Sequence, residues 1–202
     1  MIHLPENHSD KLVIGVGAHR ACYNHPEDHQ KCIKVIYSQN DPIASKEIKR
    51  ELAYYRHLNS YLKDWRGLTR YYGTVETNLG TGYVYDRIVD FDGKISQTIR
   101  DRYTLENLQN NWQELKEIVE KLEKYMWDNR IITMALKPHN VLCHRISENE
   151  IFPVICDNIG VATRIPVVLY CPWLCRRKQK KLFAKFEHQP LIQALRKCEK
   201  AH

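Results

Sequence analysis

From Leu105 to Met126 apolar residues return every three or four positions, at Leu105, Leu108, Trp112, Leu115, Ile118, Val119, Leu122, Tyr125 and Met126. That spacing follows the turn of an α-helix, about 3.6 residues, and gathers all of them on one face. A helix so patterned is stabilised by burying that face rather than by propensity alone, so it predicts the centre of a helical half.

The chain upstream reads differently. "LVIGVG" and "CIKVIY" are rich in β-branched residues and read as strands on either side of a polar excursion, "AHRACYNHPEDHQK". "RYYGTVET" and "GYVYDRIV" form a second strand pair about the turn signal "NLGTG". Between the pairs, Ile48, Leu52, Tyr55, Leu58 and Leu62 mark one amphipathic helix, expected from near Ser45. Downstream of the long helix come a short strand pair at "NVLCHR" and "IFPVICD" and a basic helical tail from about Arg176, interrupted at Pro190. The fold class is α+β: a small β-rich portion with one helix over residues 1–88 and a helical portion over 89–202. The polar stretch "DRIVDFDGK", residues 86–94, is the expected hinge.

The formal net charge of +7 favours polyanionic partners. A nucleotide is the first of these. For residues 176–197, where Arg and Lys cluster beside Phe183, Phe186, Leu191 and Leu195, an acidic protein partner is the expectation, with an anionic membrane surface or RNA as alternatives and nucleic acid the weaker one. The most apolar run, Ile165 to Cys175, is too short to cross a bilayer and carries Pro166 and Pro172. The start lacks the layout of a secretory signal, so the cytoplasm is the expected compartment. Seven scattered cysteines do not form a disulfide framework, and reduced thiols are expected. Cys171 and Cys175 have no second ligand pair to complete a zinc site.

The chemistry concentrates in "ITMALKPHNVLCHR", residues 132 to 145. Lys137, Pro138 and Asn140 are spaced as in a protein-kinase catalytic loop, while Ala135 stands where that loop carries its acidic residue. Phosphoryl transfer needs a triphosphate and its metal held still and its charge neutralised. Lys34, inside a strand, would meet the α- and β-phosphates, with Glu51 as its expected counter-charge and Glu47, one turn earlier, in reserve. Asn140 and Asp157 are the expected Mg²⁺ ligands, because that ion takes hard oxygen donors and few protein carboxylates. Gly15 and Gly17 would let the backbone approach phosphates, with His19 and Arg20 adding charge at the tip.

The order Gly15, Gly17, Lys34, Glu51, "LKPHN", Asp157 resembles the protein-kinase-like fold. More narrowly, "HRACYNHPEDHQKCIKVIY", "KDWRGLTRYYGTVETNLGTGYVYD", "DFDGK", "DNRIITMALKPHNVLCHRISENE" and "VICDNIG" resemble the bacterial YrbL family, linked to the PhoP magnesium-responsive regulatory network. The resemblance spans nearly the whole chain. It implies a two-lobed, kinase-like fold with a compact, truncated C-lobe; ATP or another nucleotide with Mg²⁺ is the ligand expected from the residues named above.

It also marks departures. The usual His-Arg-Asp is Thr133, Met134 and Ala135, and the usual Asp-Phe-Gly is Asp157, Asn158 and Ile159. The first removes the proton acceptor, which contributes about 10²- to 10⁴-fold, so a weak phosphotransferase, transfer of AMP, or a pseudokinase are all open. Only 45 residues follow Asp157, too few for a peptide-holding helical platform, so a small-molecule acceptor or none is expected. The competing reading is a non-catalytic basic interaction module on the same scaffold.

Overall fold

Alternation of inward and outward side chains sets the first half. The computed structural model describes residues 1–7, 9–38, 41–161 and 167–201. Five antiparallel strands, β1 (Val13–Val16), β2 (Arg20–Asn24), β3 (Lys31–Ile36), β4 (Tyr71–Thr77) and β5 (Gly80–Asp86), form one sheet in the order β1-β2-β3-β5-β4. Strand β2 lies inside the stretch read from sequence as a polar excursion. Its inward residues, Ala21 and Tyr23, are only two and sit among polar neighbours, too short an alternation to stand out.

Ala21, Tyr23, Ile33 and Val35 pack on one face of this sheet with Leu4, flanked by Ile2, Val13, Val75 and Leu79. The opening residues are held there by the sheet edge. The Ile2 amide donates to the Glu76 carbonyl (2.8 Å), and Asn78 exchanges hydrogen bonds with the Leu4 backbone (2.7 and 3.0 Å). Because side chains alternate along a strand, Lys34 lies on the opposite face from Ile33 and Val35, with Cys22 and Tyr83 as its cross-strand neighbours.

Helix α1 (Pro42–Asn59) begins at a proline, whose missing N–H costs nothing at the first helical position. The Asp41 carboxylate accepts from the amides of Ile43 (2.8 Å) and Ala44 (3.2 Å). By packing, the chain forms two units, residues 1–49 with 69–88 and residues 50–68 with 89–202. The second half of α1 therefore belongs with the helical unit.

In that unit α2 (Ile99–Arg102) is a single turn and α3 (Leu108–Asp128) is the long helix. Leu108, Leu115, Ile118, Val119, Leu122, Tyr125 and Met126 are buried along α3, whereas Leu105 precedes the helix and is exposed. Strands β6 (Val141–Arg145) and β7 (Ile151–Ile155) form a hairpin. The Gly67 carbonyl accepts from the amide of Ile155 (2.9 Å), fixing β7 to the segment after α1.

Helices α4 (Val167–Tyr170), α5 (Pro172–Glu187) and α6 (Pro190–Ala201) close the chain. Pro190 opens α6 at its first position, and Arg196 ties α6 to α5 through Glu187 (2.7 Å). Of the apolar run expected not to span a bilayer, Ile165 and Pro166 lie outside the described residues, and the rest forms α4, the N-cap Cys171 and the start of α5. Among the described residues no helix is long and apolar enough to cross a membrane.

Candidate functional site

The loop after α3 is built from the backbone outward. Arg130 takes a left-handed turn (φ 53°), and Ile131 and Ile132 are then fully buried. The buried Gln179 of α5 donates to the carbonyls of Met126 and Ile131 (2.5 and 2.9 Å), and the Ile132 amide donates to the Tyr54 hydroxyl (3.0 Å). These bonds satisfy main-chain groups that would otherwise be costly to bury. Thr133 pairs with Ile159, and the Met134 amide donates to the Asn158 carbonyl (2.7 Å), so the two chemically suggestive segments run side by side.

Lys137 then stands extended and exposed before the 3₁₀ turn Pro138–Asn140. Asn140 is buried and uses its Nδ2 on the Ala135 carbonyl (3.3 Å), which leaves the oxygen of the same amide as the end available to a cation. Its main-chain carbonyl accepts from the Cys156 amide (3.0 Å). Asn140 is thereby fixed beside the residue preceding the half-buried Asp157, and the Ala135 carbonyl orients its side-chain amide.

Asn158 is left-handed (φ 55°), and Gly160 (φ +136°) completes the turn after Asp157. A Cβ on Gly160 would lie 3.4 Å from the Arg50 carbonyl oxygen and 3.6 Å from Cα of Glu51. Gly160 thus brings this turn onto the backbone of α1 at the fully buried Glu51. The helical unit therefore gathers Glu51, Asn140 and Asp157 around two adjoining loops, with Lys137 exposed on one of them.

Arg100 and Lys137 set the charge near His139, partly opposed by Asp101. Burial, followed by the charges of Arg100 and Lys137, holds the His139 imidazole below its usual range. Among the described residues no three His, Cys, Asp or Glu side chains cluster as a metal site. Mg²⁺ does not require such a cluster, because it uses one or two carboxylates alongside phosphate oxygens and water. The oxygens of Asn140 and Asp157 fit that demand.

The sheet unit carries the remaining expected residues. Lys34 is buried on β3, with Nζ 4.7 Å from the centre of the Tyr85 ring, a cation–π contact that offsets part of its burial. Opposite it, the half-buried Cys22 thiol is lowered by a hydrogen bond from Cys32, against the effect of burial, and further by the charges of Lys34 and Arg20.

Gly15 lies within β1, opposite Cys22 of β2, and Gly17 lies in the turn joining β1 to β2, where its amide donates to the Arg20 carbonyl (2.9 Å); both glycines are exposed. Arg20 lies in β2 rather than at the tip. The His19 ring meets the Asp41 carboxylate at 2.8 Å, tying the turn to the cap of α1. Sequence reasoning missed that tie, although Asp41-Pro42 before an amphipathic run is a helix-start signal.

Comparison with known proteins gives two concordant findings. Residues 7–191 match the family model described as PhoP regulatory network protein YrbL. The chain is 51% identical over 184 residues to the YrbL protein of Escherichia coli and equally to that of Shigella flexneri, covering 91% of this chain and 87% of each relative.

Proposed function

The chain belongs to the YrbL family of PhoP regulatory network proteins, and on that premise we propose that it binds a nucleoside triphosphate with Mg²⁺ in a kinase-like manner. It acts in that network as a weak phosphotransferase or as a pseudokinase that signals by binding. The observation that carries this reading is the joining of Asn140 to Asp157 through the Cys156 amide, with the Asn140 amide oriented by Ala135.

Bound Mg²⁺ would neutralise phosphate charge, and the protein's part is to hold and orient. Asn140 and Asp157 supply the hard oxygens, and Lys137 offers its exposed ammonium to the terminal phosphate. Lys34 is the proposed partner of the α- and β-phosphates, Glu51 its proposed counter-charge, and Gly15 and Gly17 the proposed backbone cradle. With Ala135 in place of a carboxylate the acceptor hydroxyl has no proton acceptor, so any transfer is slow. The work is placed in the cytoplasm, where nucleoside triphosphates are abundant.

Thermal unfolding with and without ATP and MgCl₂ tests the proposal. Ligand at about a hundred times Kd stabilises by about 2.7 kcal/mol. For a chain of this size that raises the melting temperature by roughly 5 to 10 °C. Lys34→Met and Asp157→Asn should each remove most of the shift. An unchanged melting temperature at millimolar Mg-ATP would overturn the reading.

A further inference from the structure

Helix α5 carries Arg176, Arg177, Lys178, Lys180, Lys181 and Lys185, and its one carboxylate, Glu187, is engaged by Arg196 at 2.7 Å. Arg176 turns inward, 4.1 Å from the Trp127 ring centre and donating to the Trp127 carbonyl. Among the described residues none of the other five cations is ion-paired. Burial, and then the charges of Lys185 and Lys181, hold the Lys178 ammonium below its usual range, as expected of a field left unneutralised.

The buried side of α5 is Cys175, Gln179, Leu182, Phe183 and Phe186. Helical spacing puts Trp173, Arg177, Lys180, Lys181 and Ala184 together on the opposite side, and all are exposed. At the N-terminal end of this face large apolar side chains face solvent: Trp173 is 66% exposed, Tyr170 73% and Val167 50%. Large apolar side chains exposed together beside a row of cations mark an interaction surface.

We propose that the outer face of α5, with Val167 and Tyr170 of α4, docks on an anionic phospholipid surface. Trp and Tyr are the side chains that settle at the boundary between headgroups and acyl chains, and a row of basic residues beside them is drawn to anionic headgroups. Apart from Arg177 the unpaired cations are lysines. Lysine is depleted in protein–protein interfaces, but it serves well against a diffuse layer of headgroup charge, which asks for no bidentate geometry. A base-stacking platform for RNA needs a free aromatic face, whereas Arg177 lies 5.7 Å from the Trp173 ring centre and Tyr170 meets His57 at 5.1 Å. The inference rests on α4 and α5 and is independent of nucleotide binding.

Co-sedimentation of the full chain with phosphatidylcholine vesicles, with and without phosphatidylglycerol, tests it. Binding is expected only with phosphatidylglycerol, weakening as salt rises, with a blue shift of tryptophan emission that Trp173→Phe removes. Replacing Arg177, Lys180 and Lys181 together by Gln should weaken binding about a hundredfold, at about 1 kcal/mol per cation near an anionic surface. These side chains are exposed, and an unchanged melting temperature verifies that the variant folds. No binding at low salt, equal binding to phosphatidylcholine alone, or an unaltered triple variant would overturn the proposal. So would tight binding of poly(U) or polyglutamate without vesicle binding, which would assign the face to RNA or to an acidic protein.

Discussion

The amide of Cys156 donates to the carbonyl of Asn140 at 3.0 Å, so the strand end that leads to Asp157 is pinned to the last residue of the 3₁₀ turn. The bond is main chain to main chain and survives substitution of either side chain. Asn140→Ala should therefore retain the fold while losing both the oxygen proposed for Mg²⁺ and the link to the Ala135 carbonyl. The expected result is at least a tenfold loss of ATP affinity in Mg²⁺, with little change when EDTA is present. Fluorescence titration with a labelled nucleotide in both buffers checks it. Equal losses in the two buffers would deny Asn140 a metal-linked role.

Gly160 adopts φ +136°, a conformation that residues with a side chain rarely take, while facing the Arg50 carbonyl. Gly160→Ala must strain the turn or push it off α1, at a cost on the order of 1–3 kcal/mol. Urea denaturation should show the midpoint falling with an unchanged slope. An unaltered midpoint would mean that the approach to Glu51 is not needed for the fold.

Cys22 faces Lys34 across the β2–β3 ladder and has a lowered pKa, whereas burial pushes the Cys143 thiol up to about 12. At neutral pH iodoacetamide should therefore modify Cys22 well before Cys143, because the thiolate is the reactive species. If phosphates gather at Lys34, Mg-ATP should slow Cys22 labelling several-fold and leave an exposed-peptide control unchanged. Peptide mapping by mass spectrometry reads both. Equal rates with and without Mg-ATP would place the nucleotide away from Lys34.

Two imidazoles of the helical unit give a pH dependence of known sign. His139 is lowered by burial and by Arg100 and Lys137, partly opposed by Asp101. His57 is lowered by burial and by Arg130, partly opposed by its hydrogen bond with Leu169. Both fold as the weaker base, so between the folded pKa and the unfolded one, about 6.5, the unfolded chain binds more protons. Stability is full above that range and falls as pH drops through it. The urea midpoint should be lower at pH 5.5 than at pH 7.5, and His57→Gln with His139→Gln should flatten the difference. A midpoint independent of pH over this window would contradict the assignment.

Much of this was legible from residue order, and the limits have physical causes. The α3 face from Leu108 to Met126 and the β4–β5 hairpin about "NLGTG" follow from periodicity and turn chemistry, which are local. Strand β2 was hidden because pairing with β3, a non-local event, decides it more than its own alternation does. The loop that carries Asn140 was recognisable as a candidate site from the spacing of Lys137, Pro138 and Asn140. The part of Ala135 was not, since it acts through a backbone carbonyl that every residue possesses. Gly160 escaped notice for a related reason: the turn after Asp157 places its glycine at the fourth position, and only three-dimensional proximity to Arg50 and Glu51 reveals why a glycine stands there.

Titration calorimetry of Mg-ATP into the purified protein tests the central claim most directly. Saturable heat at one site per chain, abolished in Asp157→Asn at unchanged melting temperature, is the predicted result. An absence of heat up to millimolar nucleotide, or identical binding by Asp157→Asn, would contradict it.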